Sequence, residues 1–322
     1  MKSTAVRLML LVVFSGLLAS CAHYTITDPV VSSFTYDVGN RRTIVMKIVD
    51  QRSDTVFDKR LGYASNYKFP IENLQDPVGW LSQSLEKEFS ARGIPVKIVA
   101  KDDATPPNIT LTIKKFQIVS RQVDGWSPWE SYHSFMGVVT TGSKNYSIRA
   151  YFFHGIAGFG KLQTMVDSCF GIPLSVMVKE IATKINAVAL HYSASDAKVQ
   201  EIAKRAEEKI KKKDNDAYIA MLELGGTNNR AALKPLIGFT DVKDDIARAC
   251  AVSPIGIFGG KDQLEFLKKK YNGYEEIDKY MALASIGDIG STEAIAFIRK
   301  AKEHPYYINE PAFKYCVDLY LE

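Results

Sequence analysis

From residue 220 to residue 298 the chain repeats itself every 31 positions. Ala220, Ala251 and Ala282 form one column; Gly225, Gly256 and Gly287 a second; Leu233, Leu264 and Ile295 a third; Leu236, Leu267 and Ile298 a fourth. Self-similarity at a fixed period of roughly 20 to 50 residues marks stacked units, because one unit cannot bury its own apolar face alone. Each unit is expected to run helix, tight glycine turn, helix, with the small alanine where helices approach closely. Ile246, Ile277 and Ile308 continue the register, so 311–321 is expected to form the first helix of an incomplete last unit. Residues 214–322 should therefore be all-α.

The stretch before the repeats carries a different pattern. The apolar run 43–49 predicts a buried strand, and 50–76 should be a long loop. Asp76-Pro77 supplies an N-cap and a first-turn proline, Val78, Leu81, Leu85 and Phe89 follow at helical spacing, and Arg92-Gly93 closes the helix. A second strand over 94–99 completes a βαβ unit with parallel strands and a right-handed crossover. Ile109, Leu111 and Ile113 alternate and then shift phase to Phe116 and Ile118, which predicts a bulge near Lys114-Lys115. Tyr146, Ile148, Ala150 and Phe152 alternate in a further strand, expected to pair antiparallel with the segment 109–119. Met177, Ile181, Ile185, Val188 and Tyr192 line one side of a helix over 173–192. Residues 193–213, rich in Lys, Glu and Ala, should form a connector helix whose Lys211-Lys212-Lys213 suits the negative end of the helix dipole. The fold class is thus an α/β (α+β) domain at 43–192, a mixed sheet with two main helices, joined to an all-α repeat domain.

At the start of the chain, Lys2 and Arg7 precede an apolar run from Leu8 to Leu18 that ends in Leu18-Ala19-Ser20-Cys21. An apolar stretch of about eleven residues suits a secretory signal and is too short for a bilayer span of roughly 20. The tetrapeptide resembles the lipobox of bacterial lipoproteins. That resemblance implies removal of residues 1–20 and acylation of Cys21, and more than one acyl chain makes such attachment to the membrane stable. Ala22 stands where Asp would signal inner-membrane retention, so the expected location is the outer membrane, with the body facing the periplasm. Residues 21–42, polar and β-leaning, are expected to serve as a tether.

In the α/β segment, Val49-Asp50-Gln51-Arg52, Leu61-Gly62, the helix from Leu81 to Phe89 closing in Arg92-Gly93, and the strand Ile109 to Ile113 look like the small YajG-type lipoproteins of Gram-negative bacteria. The match spans roughly 43–192 and departs at inserts around 126–142 and 155–170. It implies an α/β fold in the cell envelope and brings no catalytic residues. The piece Met281 to Gly290 followed by Glu293-Ala294-Ile295 resembles a HEAT-type repeat of the short bacterial kind, over roughly 214–322.

Charge excludes one class of partner. The net +5 over 322 residues includes Lys2 and Arg7 of the leader, and the small remainder argues against nucleic acid. Cys169, Cys250 and Cys316 allow at most one disulfide, and the five histidines show no metal-ligand spacing, so no metal or cofactor is expected. Gly155 to Lys161 matches the first seven positions of a phosphate-binding loop, but Leu162 replaces the hydroxyl residue that would hold magnesium, so no nucleotide is expected either.

Two groups remain as candidate sites. Trp126, Trp129, Tyr132 and Phe135 place large aromatic side chains in an expected loop. They either plug the end of the sheet or meet a partner or membrane interface. Asp50, Arg52, Asp54 and Asp58 crowd the end of the first strand, where α/β sheets tend to place sites; they are either a surface ion-pair cluster or the site of an enzyme or small-ligand receptor. The leading functional expectation is a lipid-anchored, non-catalytic adaptor or scaffold component that binds a protein through its helical repeats. A ligand-binding protein or enzyme, and a structural lipoprotein, are the alternatives.

Overall fold

The computed structural model describes residues 24–37, 42–66, 71–99, 103–124, 126–156 and 166–322. Cys21, the leader and residues 157–161 of the glycine loop lie outside them.

The sheet begins with β1 (Ile44–Asp50), followed by β2 (Asp58–Gly62) inside the expected loop. Helix α1 (Pro77–Ala91) starts as its sequence dictates: the Asp76 carboxylate accepts from the Gly79 amide at 2.9 Å, and Pro77 occupies the first turn. Its buried face carries Trp80, Leu81, Leu85 and Phe89, and Gly93 turns the chain at φ +74. Strand β3 (Val96–Val99) then returns parallel to β1. Strands β4 (Ile109–Gln122), β5 (Trp129–Thr141) and β6 (Lys144–Ile156) form an antiparallel meander, giving the order β3-β1-β4-β5-β6. β1 pairs parallel with the first half of β4, and β2 with its last residues. The register shifts between Ile113 and Lys115, where the phase change in the sequence predicts a bulge.

Two expectations about this sheet are corrected. The segments 109–119 and 146–152 do not pair with each other, because β5 lies between them and pairs with both. The stretch expected to be an aromatic loop forms that strand: Trp, Tyr, Phe and Val favour a pleated, half-buried surface, and the Ser-Pro that suggested a loop sits only at its entrance.

Residues 24–37 are not a free tether. Ile26, Phe34 and Tyr36 are buried, Tyr24 bridges Ile71, and the Tyr36 amide donates to the Arg92 carbonyl at 2.9 Å. This segment is a strap along α1. Apolar residues at even positions let it bury one edge, a strand-like pattern that its polar neighbours mask.

Helix α2 (Ile172–Ile185), widened at its ends into π turns at Asp167–Gly171 and Asn186–Leu190, is buried on every side from Pro173 to Ile185. Helix α3 (Asp196–Lys212) is capped by Ser195 and ends at Lys213 in the left-handed region. There follow α4 (Ala217–Gly226), α5 (Leu233–Phe239), α6 (Asp245–Val252), α7 (Lys261–Gly273), α8 (Glu276–Ile289), α9 (Thr292–Lys300), α10 (Pro305–Asn309) and α11 (Pro311–Leu321). Helices α4 and α8 are buried along most of their length, as suits helices apolar all round. Helices α5, α7 and α9 are amphipathic and form an outer row.

The glycine column does not make turns. Gly225, Gly256 and Gly287 sit within helical segments, where an added β-carbon would overlap Pro254, the Ser285 carbonyl and the Tyr320 ring respectively. Each glycine therefore sets the contact with the next unit. Ile308 breaks its column: it is 82% exposed on α10, which Glu310 separates from α11.

The helical part shares one hydrophobic core with the sheet and its helices. Phe153 stacks edge-on to Tyr280 at 5.2 Å and Tyr132 meets Tyr315 at 4.9 Å. The Tyr151 hydroxyl donates to the Ala312 carbonyl at 2.7 Å, and Arg149 Nε to the Leu319 carbonyl at 2.8 Å.

Candidate functional site

The polar group at the end of β1 resolves into local pairs. Arg52 forks onto Asp50, with Nε and Nη2 each 2.9 Å from a carboxylate oxygen, and its hydrogen bond holds the Asp50 carboxyl below the usual range. Asp58 accepts from Arg60 Nε at 2.9 Å. Asp54 caps the Val56 amide and accepts from Gln117 Nε2 at 3.2 Å. The four residues do not converge on one point. Of the four, Asp54 borders a cavity.

That cavity, about 560 Å³, lies between β4 and α11. Lys114 and Lys115 reach it from the bulge, Lys59 from β2, and Lys314, Tyr315 and Asp318 from α11. The bulge matters here, because the extra residue turns two adjacent lysines toward the same side of the strand's end-on view. Most of this charge is already matched. Lys115 approaches Glu322 at 3.3 Å and lies 5.8 Å above the Tyr315 ring, Lys314 pairs with Asp318 at 2.6 Å, and Lys114 donates to Gln51 at 2.6 Å. The cleft therefore offers both signs of charge over an aromatic floor rather than a net positive field. Lysines inside a strand are a sequence signal for such a site, but the partner side comes from 200 residues downstream and has no local mark.

The aromatic group is placed differently from the expectation of a partner surface. Trp129, Tyr132 and Phe135 are buried in β5, so they belong to the core and not to an interaction face. Trp126 alone of the four projects outward, 86% exposed, at the tip of the β4–β5 connection. Asp124 braces that tip by accepting from the amides of Trp126 and Ser127 at 2.9 and 2.8 Å.

Two buried charge clusters went unseen in the sequence. In the first, Glu88 of α1 accepts from Arg92 Nε at 2.8 Å, from Lys179 at 3.3 Å, and from the Ser32 amide and hydroxyl of the strap. Burial alone would raise the Glu88 carboxyl, but Arg92 and Lys179 outweigh it and hold the group at about 2. Arg92 also donates to Thr183 at 3.0 Å. Beside this cluster the Ser33 amide donates to Glu223 of α4 at 2.6 Å, and the Tyr36 hydroxyl to the Gly226 carbonyl. In the second cluster, Lys184 pairs with Asp288 of α8 at 2.8 Å, and the Ser253 hydroxyl donates to Glu180. Burial pushes the Glu180 carboxyl up to about 7, against the pull of Lys184 and Ser253. Both clusters tie α2 to elements far away in sequence, and every charge faces a partner, as buried charges require.

A third polar group resembles a catalytic set only by residue type. His133 Nε2 lies 3.0 Å from the Cys169 carbonyl and 3.3 Å from the Ser131 hydroxyl, which itself donates to that carbonyl at 2.8 Å. Burial lowers the imidazole to about 3 and raises the Cys169 thiol to about 12. Such an imidazole is a poor base at neutral pH and the thiol stays protonated, so the trio is a packing device. Among the described residues, no group of three or more His, Cys, Asp or Glu is placed to hold a metal ion, and no helix is long and apolar enough to cross a membrane.

No family model matches the sequence, and no curated protein matches it. Among solved structures, the chain is similar to the crystal structure of protein XCC0632 from Xanthomonas campestris, described under the family DUF330. The two share 11% sequence identity with a TM-score of 0.33, over 50% of this chain and 93% of that chain.

Proposed function

We propose that this chain is a lipid-anchored protein of the bacterial cell envelope, moored through Cys21, that recognises a protein partner without catalysing a reaction. The charged start, the short apolar run and the small residues before Cys21 support the anchor. The YajG-like α/β segment and the HEAT-like helical segment support an envelope scaffold with an outer-membrane location. The observation that carries the recognition role is the two-row arrangement of the helices. Helices α4 and α8 are consumed within the molecule, whereas α5, α7 and α9 keep one face outward. Solenoids commonly bind through the face that stacking leaves available. A groove of about 400 Å³ opens at the C-terminal ends of α7 and α9, lined by Tyr271, Phe297, Lys300 and His304.

The test is affinity capture of the acylated, detergent-extracted full chain from its own cells, beside a Lys269→Glu/Lys300→Glu variant. Both lysines are exposed, so the variant should fold with an unchanged melting temperature and lose the co-purifying protein. An identical partner set from both would remove the outer row from consideration. Mass spectrometry of the mature N-terminus tests the anchor separately.

A second reading rests on the cleft between β4 and α11. Its mixed lysine and carboxylate lining over Tyr315 suits a small ligand that carries both charge signs. Thermal-shift screening with amphoteric small molecules tests it, with Lys115→Ala expected to abolish any stabilisation; a shift that survives in that variant would place the ligand elsewhere.

A further inference from the structure

Register fixes which residues share one end of the sheet. Gly62 closes β2 opposite Gln122, and Trp129 opens β5 opposite Ile156 of β6. Three large apolar side chains are exposed at this end: Tyr63 (42%), Val123 (62%) and Trp126 (86%). Gly62 packs so closely on the Gln122 carbonyl that a β-carbon there would overlap it, which brings the chain at Tyr63 against the chain at Val123.

The strap enters at this same end. The Glu72 amide donates to the Tyr24 carbonyl at 2.9 Å, just ahead of α1, which runs back from here toward the start of β3. Thr27 hydrogen-bonds Asp167, which opens the helical segment after β6. Two residues, Ala22 and His23, separate Cys21 from Tyr24, a span of at most about 10 Å. The sheet measures about 46 Å along β4 at ~3.3 Å per residue. A body held by so short a leash cannot turn its far end to the point of attachment.

The geometry points to this end of the sheet as a membrane-contact face, with Trp126, Val123 and Tyr63 seated in the headgroup region of a phospholipid bilayer. Trp and Tyr favour that zone because one part of the ring system is apolar and another part forms hydrogen bonds with water or headgroups. The inference rests on the acylation of Cys21 proposed above. It adds an orientation: the Gly142 turn at the opposite end of β5 points away from the membrane.

Fluorescence provides the test, since Trp80 and Trp129 are buried and Trp126 is the exposed tryptophan among the described residues. Acylated full-length mature protein is bound to phosphatidylethanolamine and phosphatidylglycerol vesicles and recovered by flotation. Vesicle binding should lower iodide quenching severalfold and shift emission to the blue, and lipid brominated near the headgroup should quench it; Trp126→Phe should remove all three changes. Val123→Asp, at an exposed position, should restore iodide access with an unchanged melting temperature. A protein that floats with the vesicles yet keeps its full iodide quenching overturns the contact face and leaves the anchor standing, as does protection unchanged by Val123→Asp. A full chain recovered from its own cells with no acyl chain at Cys21, read by mass spectrometry, overturns both.

Discussion

Glu88 joins three elements: it touches the strap through Ser32, its own helix through Arg92 and the buried helix α2 through Lys179. Glu88→Gln leaves two buried cations facing a neutral group, and breaking a buried pair in this way costs about 3–5 kcal/mol. Urea unfolding at neutral pH should show that loss. The same group sets an acid limb. Its carboxyl titrates at about 2 when folded against 4.5 otherwise, so the folded chain binds fewer protons between those values. Its stabilisation is therefore present above pH 4.5 and lost as pH falls toward 2. The urea midpoint should drop across that window in the native protein and less steeply in Glu88→Gln. Glu180 has the opposite sign: titrating at about 7 when folded, it should withdraw stability as pH rises from 4.5 through 7, and Glu180→Gln should flatten that slope. None of this was legible from the residues. Glu88 and Arg92 look like an ordinary i,i+4 surface pair, and their burial comes from Ser32 and Lys179, which lie 56 and 91 residues away.

Among the elements, periodicity was informative where the contact is local or repeated. Asp76-Pro77 marked the start of α1 and Gly93 its end, and the phase shift at Lys114 marked the bulge. Strand β5 was obscured because Ser127-Pro128 and the clustered aromatics resemble a loop, while its order is imposed by β4 and β6 on either side. The glycine column was visible but its role was not, since a glycine that lets helices touch and one that turns the chain leave the same mark. Substitution separates the two roles. Gly256→Ala drives a methyl group into the Ser285 carbonyl, which is backbone and yields little; overpacking of this kind costs about 1–3 kcal/mol. Gly287→Ala drives a methyl group into the base of the buried Tyr320 ring, whose hydroxyl is held by Asp288, and should cost a similar amount. Gly238, in α5 with open space around it, should stabilise the protein by about 0.4–1 kcal/mol when replaced by alanine. Thermal melts of the three variants check the order.

At the scale of the molecule, the division into a sheet part and a helical part was legible, but their common core was not. Tyr151 and Arg149 of β6 hydrogen-bond to carbonyls of α11, and Tyr280 and Tyr315 cover Phe153 and Tyr132. Such contacts join residues with no sequence relation, so no local pattern announces them. A chain ending at Lys213 should therefore fail to fold as a stable unit, although the connector looks like a natural cut. Circular dichroism and dye binding check this, and a cooperative melt from the truncated chain would count against a shared core. The strap extends the same dependence in time. Ser33 and Tyr36 are fastened to Glu223 and Gly226, 190 residues further on, so in a chain made from its N-terminus onward the strap makes these contacts only after α4 has emerged. A stretch made early is then secured late, and an interruption of synthesis before α4 would leave it loose.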